Sequence, residues 1–178
     1  IFEGEEIQGL EPHVIVKKGI VHVPEGREVF PLLTVDENLS LGAYTRNDRT
    51  AIQADRQLVF DYFPILADRR QQEAGTLSGG QQQRVGVARA FMMNPRLILA
   101  DEPVASLDPR TSRDILALLQ HAARQRGATV ICSLHQIELA REFADMVVIL
   151  RQGRLAACGG RDTVMTAEHL EKVYGVAV

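Results

Sequence analysis

The stretch LSGGQQQRVGVARAFMMNPRLILADEP, residues 77–103, decides the fold. It opens with a helix signal, because Ser78 and Gln81 have the spacing of a capping box. It closes with a short apolar strand that ends at two acidic residues, Asp101 and Glu102. A helix that leads into a buried strand is the repeating unit of an α/β protein, so we expect a largely parallel sheet.

Further strands and helices follow the same alternation on both sides of this stretch. Near-continuous apolar runs predict strands at 20–23, 97–101, 128–135 and 146–150, as expected of strands covered on both faces. A turn over residues 151–153 predicts a hairpin from the last of these runs to RLAAC.

The helix signals are mostly caps. Thr34 with Glu37 forms a second capping box, and Asp108 before a proline predicts a helix that stops at Gly127. An amphipathic helix is expected between residues 49 and 70, and no strand pattern occurs from about 34 to 95. We therefore predict an α/β core formed by residues 1–33 and 96–178, with residues 34–95 inserted as a helical subdomain.

Composition narrows the function classes. The 178 residues are 46% hydrophobic with a net charge of −3, which indicates one soluble globular domain and argues against a nucleic-acid binder. No apolar run is longer than that of residues 146–150, which is far below the roughly 20 residues that a membrane-spanning helix needs. Cys132 and Cys158 lack metal-ligand spacing and are expected to be buried, reduced thiols in a cytosolic protein.

Four short motifs carry chemistry, and each has a plainer interpretation. In LSGGQ, free backbone N–H groups and two glycines at a helix start suit a phosphate, although an ordinary Ser-capped helix would look the same. Asp101 and Glu102 at a strand end can hold Mg²⁺ and orient water, or can form a simple turn. His135 closes its predicted strand and would be level with Asp101 if the two strands are neighbours. It could donate to a phosphate oxygen or be an ordinary surface or core residue, and Asp108 could be only a helix cap.

In their order and spacing these motifs resemble the nucleotide-binding domain of ABC transporters. LSGGQ is similar to the signature motif, LILADE to the Walker B strand with its catalytic Glu, SLD (106–108) to the D-loop, and His135 to the switch histidine. The resemblance extends over essentially the whole chain. It implies a P-loop NTPase-like α/β core with an inserted α-helical subdomain.

The resemblance also implies roles for individual residues in an ATP-hydrolysing dimer that encloses two ATP molecules. Asp101 would coordinate Mg²⁺, mostly through water, Glu102 would act as the general base, and His135 would contact the γ-phosphate. The residues implied to contact nucleotide or to act across the dimer are Ser78, Gly79, Gly80, Gln81, Glu25 and Asp108.

The implied partners are a second ATP-binding subunit and integral membrane permeases docked near residues 24–75. A periplasmic solute-binding protein would be an indirect partner. The ATP-binding subunit itself would lie peripherally at the cytoplasmic face of the inner membrane. Residues 19–44 resemble importers of branched-chain amino acids, in which Glu25 replaces the more common Gln. QQQRVGVARA and DEPVASLDP are closer to the general importer pattern, so phosphonate or polar amino acids stay open as cargo.

The sequence contains no Gly-Lys pair and therefore no GxxxxGK[ST] phosphate-binding loop. We expect that the N-terminal part of the domain, roughly 40 residues or more, is missing before residue 1, and that the chain alone is inactive and does not bind ATP measurably. Two other classes stay open: a soluble cassette ATPase of DNA repair or translation, and a non-catalytic fragment that only dimerises or docks.

Overall fold

The structure is a computed structural model that describes residues 1–26 and 28–174. The chain divides into two compact units, residues 1–133 and the residues from Leu134 onward. The elements of the first unit are α1 (Pro12–Lys17), β1 (Ile20–Val23), α2 (Val35–Gly42), α3 (Arg49–Tyr62), α4 (Pro64–Asp68), a 3-10 helix (Ala74–Thr76), α5 (Gly79–Met92), β2 (Leu97–Ala100), α6 (Pro109–Arg126) and β3 (Thr129–Cys132). Those of the second unit are α7 (Ile137–Phe143), β4 (Met146–Arg151), β5 (Arg154–Gly160), α8 (Arg161–Val164) and α9 (Ala167–Tyr174).

A three-stranded parallel sheet in the order β1-β2-β3 organises the first unit. Val23, Ala100 and Cys132 are level with one another across the sheet. The central strand β2 is paired at both edges, and its Ile98 is fully buried. An apolar sequence suits a strand of this kind, whose faces are covered by other parts of the chain. Helix α5 packs against β1 and α6, and α6 packs against β3, so the predicted α/β arrangement is confirmed for this unit.

Helix α2, the first of residues 34–95, is capped as the sequence predicts. Glu37 donates its backbone N–H to Thr34 Oγ1 at 3.2 Å and accepts from the Thr34 amide at 2.8 Å, which begins α2. Among residues 34–95, all of which the structure describes, only an isolated bridge between Thr34 and Glu73 has β character. The expectation that this stretch contains no strand is therefore confirmed.

The single helix expected between residues 49 and 70 is wrong. Two helices form instead, α3 and α4, and Phe63 separates them with a non-helical backbone at φ −127° and ψ 71°. The following Pro64 explains the break, because its ring disfavours helical geometry at the residue before it and it has no N–H to donate. Pro64 then occupies the first position of α4.

The third strand also ends earlier than predicted. It stops at Cys132 rather than at His135, because β2 ends at Ala100 and later residues have no strand to pair with. The last ladder bond runs from the Ser133 amide to the Ala100 carbonyl at 3.0 Å. Ser133 and not His135 is therefore the residue level with Asp101.

The second unit is a β-hairpin packed on short helices. Strands β4 and β5 are antiparallel and are joined at Gln152 and Gly153, whose positive φ angles of 50° and 73° suit a two-residue hairpin turn. This confirms the predicted hairpin. Its small core contains Ile149, Val164 and Leu170. Within the described part of the chain, no helix is both long and apolar enough to cross a bilayer.

Candidate functional site

Two acidic residues lie at the carboxyl edge of the parallel sheet, as the sequence predicts. Asp101 and Glu102 follow β2 directly, and the Asp101 amide donates to the Val23 carbonyl at 2.8 Å. This bond extends the ladder with β1 by one residue and fixes the backbone from which the Asp101 side chain leaves the sheet. Ligands of α/β sheets bind at this edge, where strand ends meet.

A serine that sequence reasoning missed connects the two acids. Ser133 Oγ donates to Asp101 Oδ1 at 2.7 Å, and the Glu102 amide donates to Ser133 Oγ at 2.7 Å. The preceding residue, Cys132, is partly buried near Asp101, and burial together with that negative charge raises the pKa of its thiol to about 12. Cys158 is exposed, so the expectation that both thiols are buried is wrong. The only signal for Ser133 in the sequence is its place directly after β3, which is level with the place of Asp101 directly after β2.

The backbone beyond the acid pair adopts an unusual conformation. Glu102 and Ser106 have φ angles of 44° and 57°, in the left-handed region that side-chain-bearing residues seldom occupy. Between them, Pro103 and Val104 are buried, so the turn is anchored to the interior of the unit. Backbone of this kind persists only where its surroundings hold it, and it is concentrated at functional sites.

The LSGGQ segment begins α5 in the predicted way. Ser78 is the N-cap with extended backbone, and Gln81 Oε1 accepts from the Ser78 amide at 3.0 Å. A Cβ atom added at Gly80 would lie 3.5 Å from Leu107 Cδ2, an ordinary contact. Packing therefore does not require glycine at position 80. Because glycine has no side chain, the start of the helix is accessible to an anion.

Gln82, a second residue that the sequence did not point to, holds the segment that precedes α5. Gln82 Nε2 lies 3.2 Å from the Leu77 and Ala74 carbonyl oxygens and 3.3 Å from that of Gly75. The side-chain amide of Gln82 therefore donates to carbonyl oxygens of the segment that precedes the helix. These contacts hold the loop that carries Ser78 against its own helix.

Asp108 is the N-cap of α6. Its Oδ1 accepts from the Arg110 and Thr111 amides at 3.1 and 3.0 Å, and its Oδ2 accepts from Thr111 Oγ1 at 2.5 Å. The Thr111 hydroxyl, followed by the Thr111 amide, holds the pKa of Asp108 below its usual value. Arg84 of α5 donates to the same Thr111 hydroxyl at 2.6 Å, so the cap is tied to the LSGGQ helix.

The other two predicted residues lie on turns. Glu25 is exposed two positions after β1, at the same carboxyl edge of the sheet as the acid pair. His135 is exposed and belongs to the second unit, before α7, and its contact with a phosphate stays a prediction. The first unit therefore brings together Asp101, Glu102 and, on another loop of the same edge, Glu25.

The donor set at the edge suits Mg²⁺ with a phosphate ligand. Among the residues that the structure describes, no group of three or more His, Cys, Asp or Glu side chains could hold a metal ion by itself. Mg²⁺ usually takes only one or two carboxylates and completes its shell with water and substrate phosphates. The exposed, oriented carboxylate of Asp101 fits that requirement.

Comparison with known proteins gives a consistent result. A family model described as "ABC transporter" matches residues 1–105, which is more than half of the chain. The chain is 41% identical over 174 residues to the high-affinity branched-chain amino acid transport ATP-binding protein BraG of Pseudomonas aeruginosa, covering 97% of this chain and 73% of BraG. It is 68% identical over 106 residues to the phosphonates import ATP-binding protein PhnC of Hyphomonas neptunium, covering 60% of this chain but only 40% of PhnC.

Solved structures share the fold. An ATP-binding cassette of an ABC transporter in its ADP conformation aligns with a TM-score of 0.77 and 25% identity, over 98% of this chain and 74% of that one. A dimeric cassette in a post-hydrolysis state with ADP and Pi aligns with a TM-score of 0.75 and 26% identity, over 89% of this chain and 71% of that one. The predicted P-loop NTPase-like fold class is thereby confirmed.

Proposed function

We infer that this chain, which belongs to the ABC transporter family of ATP-binding subunits, supplies the hydrolytic edge and the signature helix of an ATPase that powers solute import. The observation that carries the proposal is the acid pair Asp101–Glu102, held at the carboxyl edge of a parallel sheet. The same compact unit also contains the glycine-rich helix start at Ser78. One element is suited to activating water and the other to binding phosphate.

The roles at the edge follow from charge and position. Asp101 would hold Mg²⁺, which neutralises charge on the phosphates of the substrate ATP. Glu102, the next residue in the chain, has a left-handed backbone conformation. Its carboxylate would orient the attacking water and accept its proton. Glu25, on the neighbouring strand end, would contact the ion or its water shell. His135 would donate a hydrogen bond to the γ-phosphate.

The helix start would act on a second ATP, bound mainly by a partner subunit. The backbone N–H groups of Gly79 and Gly80 follow the N-cap Ser78 and belong to the first turn of α5, where the helix dipole favours an anion. Gln81 holds that turn through its bond to the Ser78 amide. Asp108, which caps α6 in this chain, would place the 106–108 turn against the partner's site.

The assembly that this implies has two ATP-binding subunits and membrane permeases. Residues 34–95 would form the helical subdomain on which the permeases dock, and the subunit would lie peripherally at the cytoplasmic face of the inner membrane. A periplasmic solute-binding protein would deliver cargo to the permeases. Nucleic acid has no role in this proposal.

Branched-chain amino acids are the cargo we propose first, because the similarity to BraG extends over 97% of the chain. Phosphonate is the second candidate, because identity to PhnC reaches 68% over 106 residues. Uptake of radiolabelled leucine and of methylphosphonate, compared in cells with and without the gene, distinguishes them. Loss of leucine uptake alone supports the first, and loss of methylphosphonate uptake alone supports the second.

Substitution Glu102→Gln in the full gene product tests the ATPase. Turnover should fall by about 10²- to 10⁴-fold, because the amide cannot accept the proton of the attacking water. The variant should still bind ATP, and its ATP-bound dimer should accumulate. Light scattering after gel filtration would detect the dimer as a doubled mass. Glu138→Gln, an equivalent change at an exposed position of α7, serves as the control. Turnover that is equal in the two variants would remove Glu102 from this role.

A further inference from the structure

Ser133 is placed to control the geometry of both acids at once, although neither its sequence context nor any motif marks it. We propose that Ser133 is a positioning residue for nucleotide hydrolysis, which fixes the Asp101 carboxylate and the Glu102 backbone through one hydroxyl group. The proposal rests on the function inferred above. Its basis is the pair of 2.7 Å hydrogen bonds that Ser133 Oγ makes, one to each acidic residue.

The backbone delivers this hydroxyl to a defined place. The Ser133 amide donates to the Ala100 carbonyl at 3.0 Å, and the Asp101 amide donates to the Val23 carbonyl at 2.8 Å. Both residues therefore sit one position beyond the last paired residues of adjacent strands, with their main chains held by the sheet. Within Ser133 a single torsion, χ1, then places Oγ, so this side chain loses little conformational freedom when the bonds form.

The two bonds use both capacities of a hydroxyl. The single O–H donates to Asp101 Oδ1, and a lone pair accepts from the Glu102 N–H. An aliphatic side chain can make neither bond. Threonine can make both from the same position, because its Oγ1 corresponds to the serine oxygen.

Each bond has a separate mechanical effect. The bond to Oδ1 sets the plane of the Asp101 carboxylate that would face Mg²⁺, as partners behind a metal ligand commonly do. The bond from the amide holds Glu102 at φ 44°, a conformation that its own side chain disfavours. Without the hydroxyl, the Glu102 backbone has one restraint fewer, and its carboxylate samples positions away from the attacking water.

The expected kinetic signature is a loss of turnover with little loss of ATP affinity. Ser133→Val in the full gene product should lower kcat by about 10- to 100-fold, the range found when a residue that orients a metal ligand is removed. KM for ATP should change by less than about threefold, because the phosphate-binding N–H groups of α5 lie elsewhere in the unit. The Mg²⁺ concentration that gives half-maximal activity should rise.

The matched variant is Ser133→Thr, which has the same branched shape as valine and retains the hydroxyl. It should recover most of the turnover that valine loses, which a role in packing alone would not predict. Thr129→Val removes a hydroxyl from the exposed start of the same strand and controls for the change in composition. Hydrogen–deuterium exchange of the peptide over residues 100–106, without nucleotide, should be faster in the valine variant than in the threonine variant.

The outcomes separate this proposal from the one on which it rests. If the wild-type protein hydrolyses ATP and Glu102→Gln abolishes turnover, but the valine and threonine variants match in kcat and in exchange, the role of Ser133 is refuted while the ATPase proposal stands. If the wild-type protein does not hydrolyse ATP, the proposed function fails and the role of Ser133 fails with it. A valine variant that is slow in turnover and fast in exchange, with threonine near wild type, supports the proposal.

Discussion

The substitution Asp55→Ala should destabilise the protein far more than the loss of an ordinary exposed carboxylate would. Asp55 lies in α3 and is 6% exposed. One carboxylate oxygen accepts from Arg46 Nη1 at 2.5 Å, and the other accepts from Arg126 of α6. Arg46 also donates to the Met92 carbonyl at 2.8 Å, at the end of α5. Asp55 therefore joins three helices of the first unit through two largely buried guanidinium groups.

The magnitude follows from what each arginine retains. Removing one member of a buried ion pair costs about 3–5 kcal/mol, because the charge left behind is desolvated without compensation. Arg46 keeps Asp48 at 2.7 Å, a carboxylate that is half exposed, and Arg126 keeps its stacking 4.0 Å over the Phe91 ring. These remaining partners reduce the cost to the lower end of the range, so we expect about 3 kcal/mol.

Urea unfolding followed by far-UV circular dichroism measures this loss. With a slope of about 2 kcal/mol per molar urea, a 3 kcal/mol change lowers the midpoint by about 1.5 M. The control is Asp61→Ala in the same helix, where the carboxylate is exposed and accepts from Gln57, and it should leave the midpoint nearly unchanged. A midpoint shift for Asp55→Ala below about 0.5 M would show that the network behaves like a surface ion pair, and would refute the reasoning.

Two further outcomes are expected from packing and burial. Gly42→Ala should cost about 3 kcal/mol in unfolding free energy, because a Cβ atom there would overlap the Arg89 carbonyl oxygen where α2 crosses α5. Gly86→Ala, at a helical glycine with open space around it, should instead stabilise by about 0.5–1 kcal/mol, and equal urea midpoints for the two variants would contradict this contrast. In mass spectrometry after iodoacetamide treatment at pH 8, exposed Cys158 should be alkylated well before Cys132, whose thiol has its pKa raised to about 12 by burial and by Asp101; faster reaction at Cys132 would contradict that assignment.

Local signals in the sequence were sufficient for much of the first unit. The capping boxes at Thr34 and Ser78, the Asp108 cap and the stop at Gly127 each depend on residues within three or four positions, so their outcome was predictable. The signal for the break at Phe63 is equally local, because it is the proline at position 64. The prediction of one helix followed the amphipathic pattern, which continues across that proline. Motif order alone identified the family, since each motif is a short contiguous segment.

The alternation of strands and helices, the acid pair at a strand end and the capped, glycine-rich helix start could all be predicted from the sequence, because each depends on neighbours along the chain. That Ser133, 32 positions after Asp101, is the residue beside it, and that Asp55 meets Arg126 across 71 positions, emerged from the folded structure. Such contacts depend on strand register and on helix packing, in which a shift of one residue exchanges every neighbour. No periodicity along the chain encodes that choice, so the groups that hold the site together became visible only when the sheet was assembled.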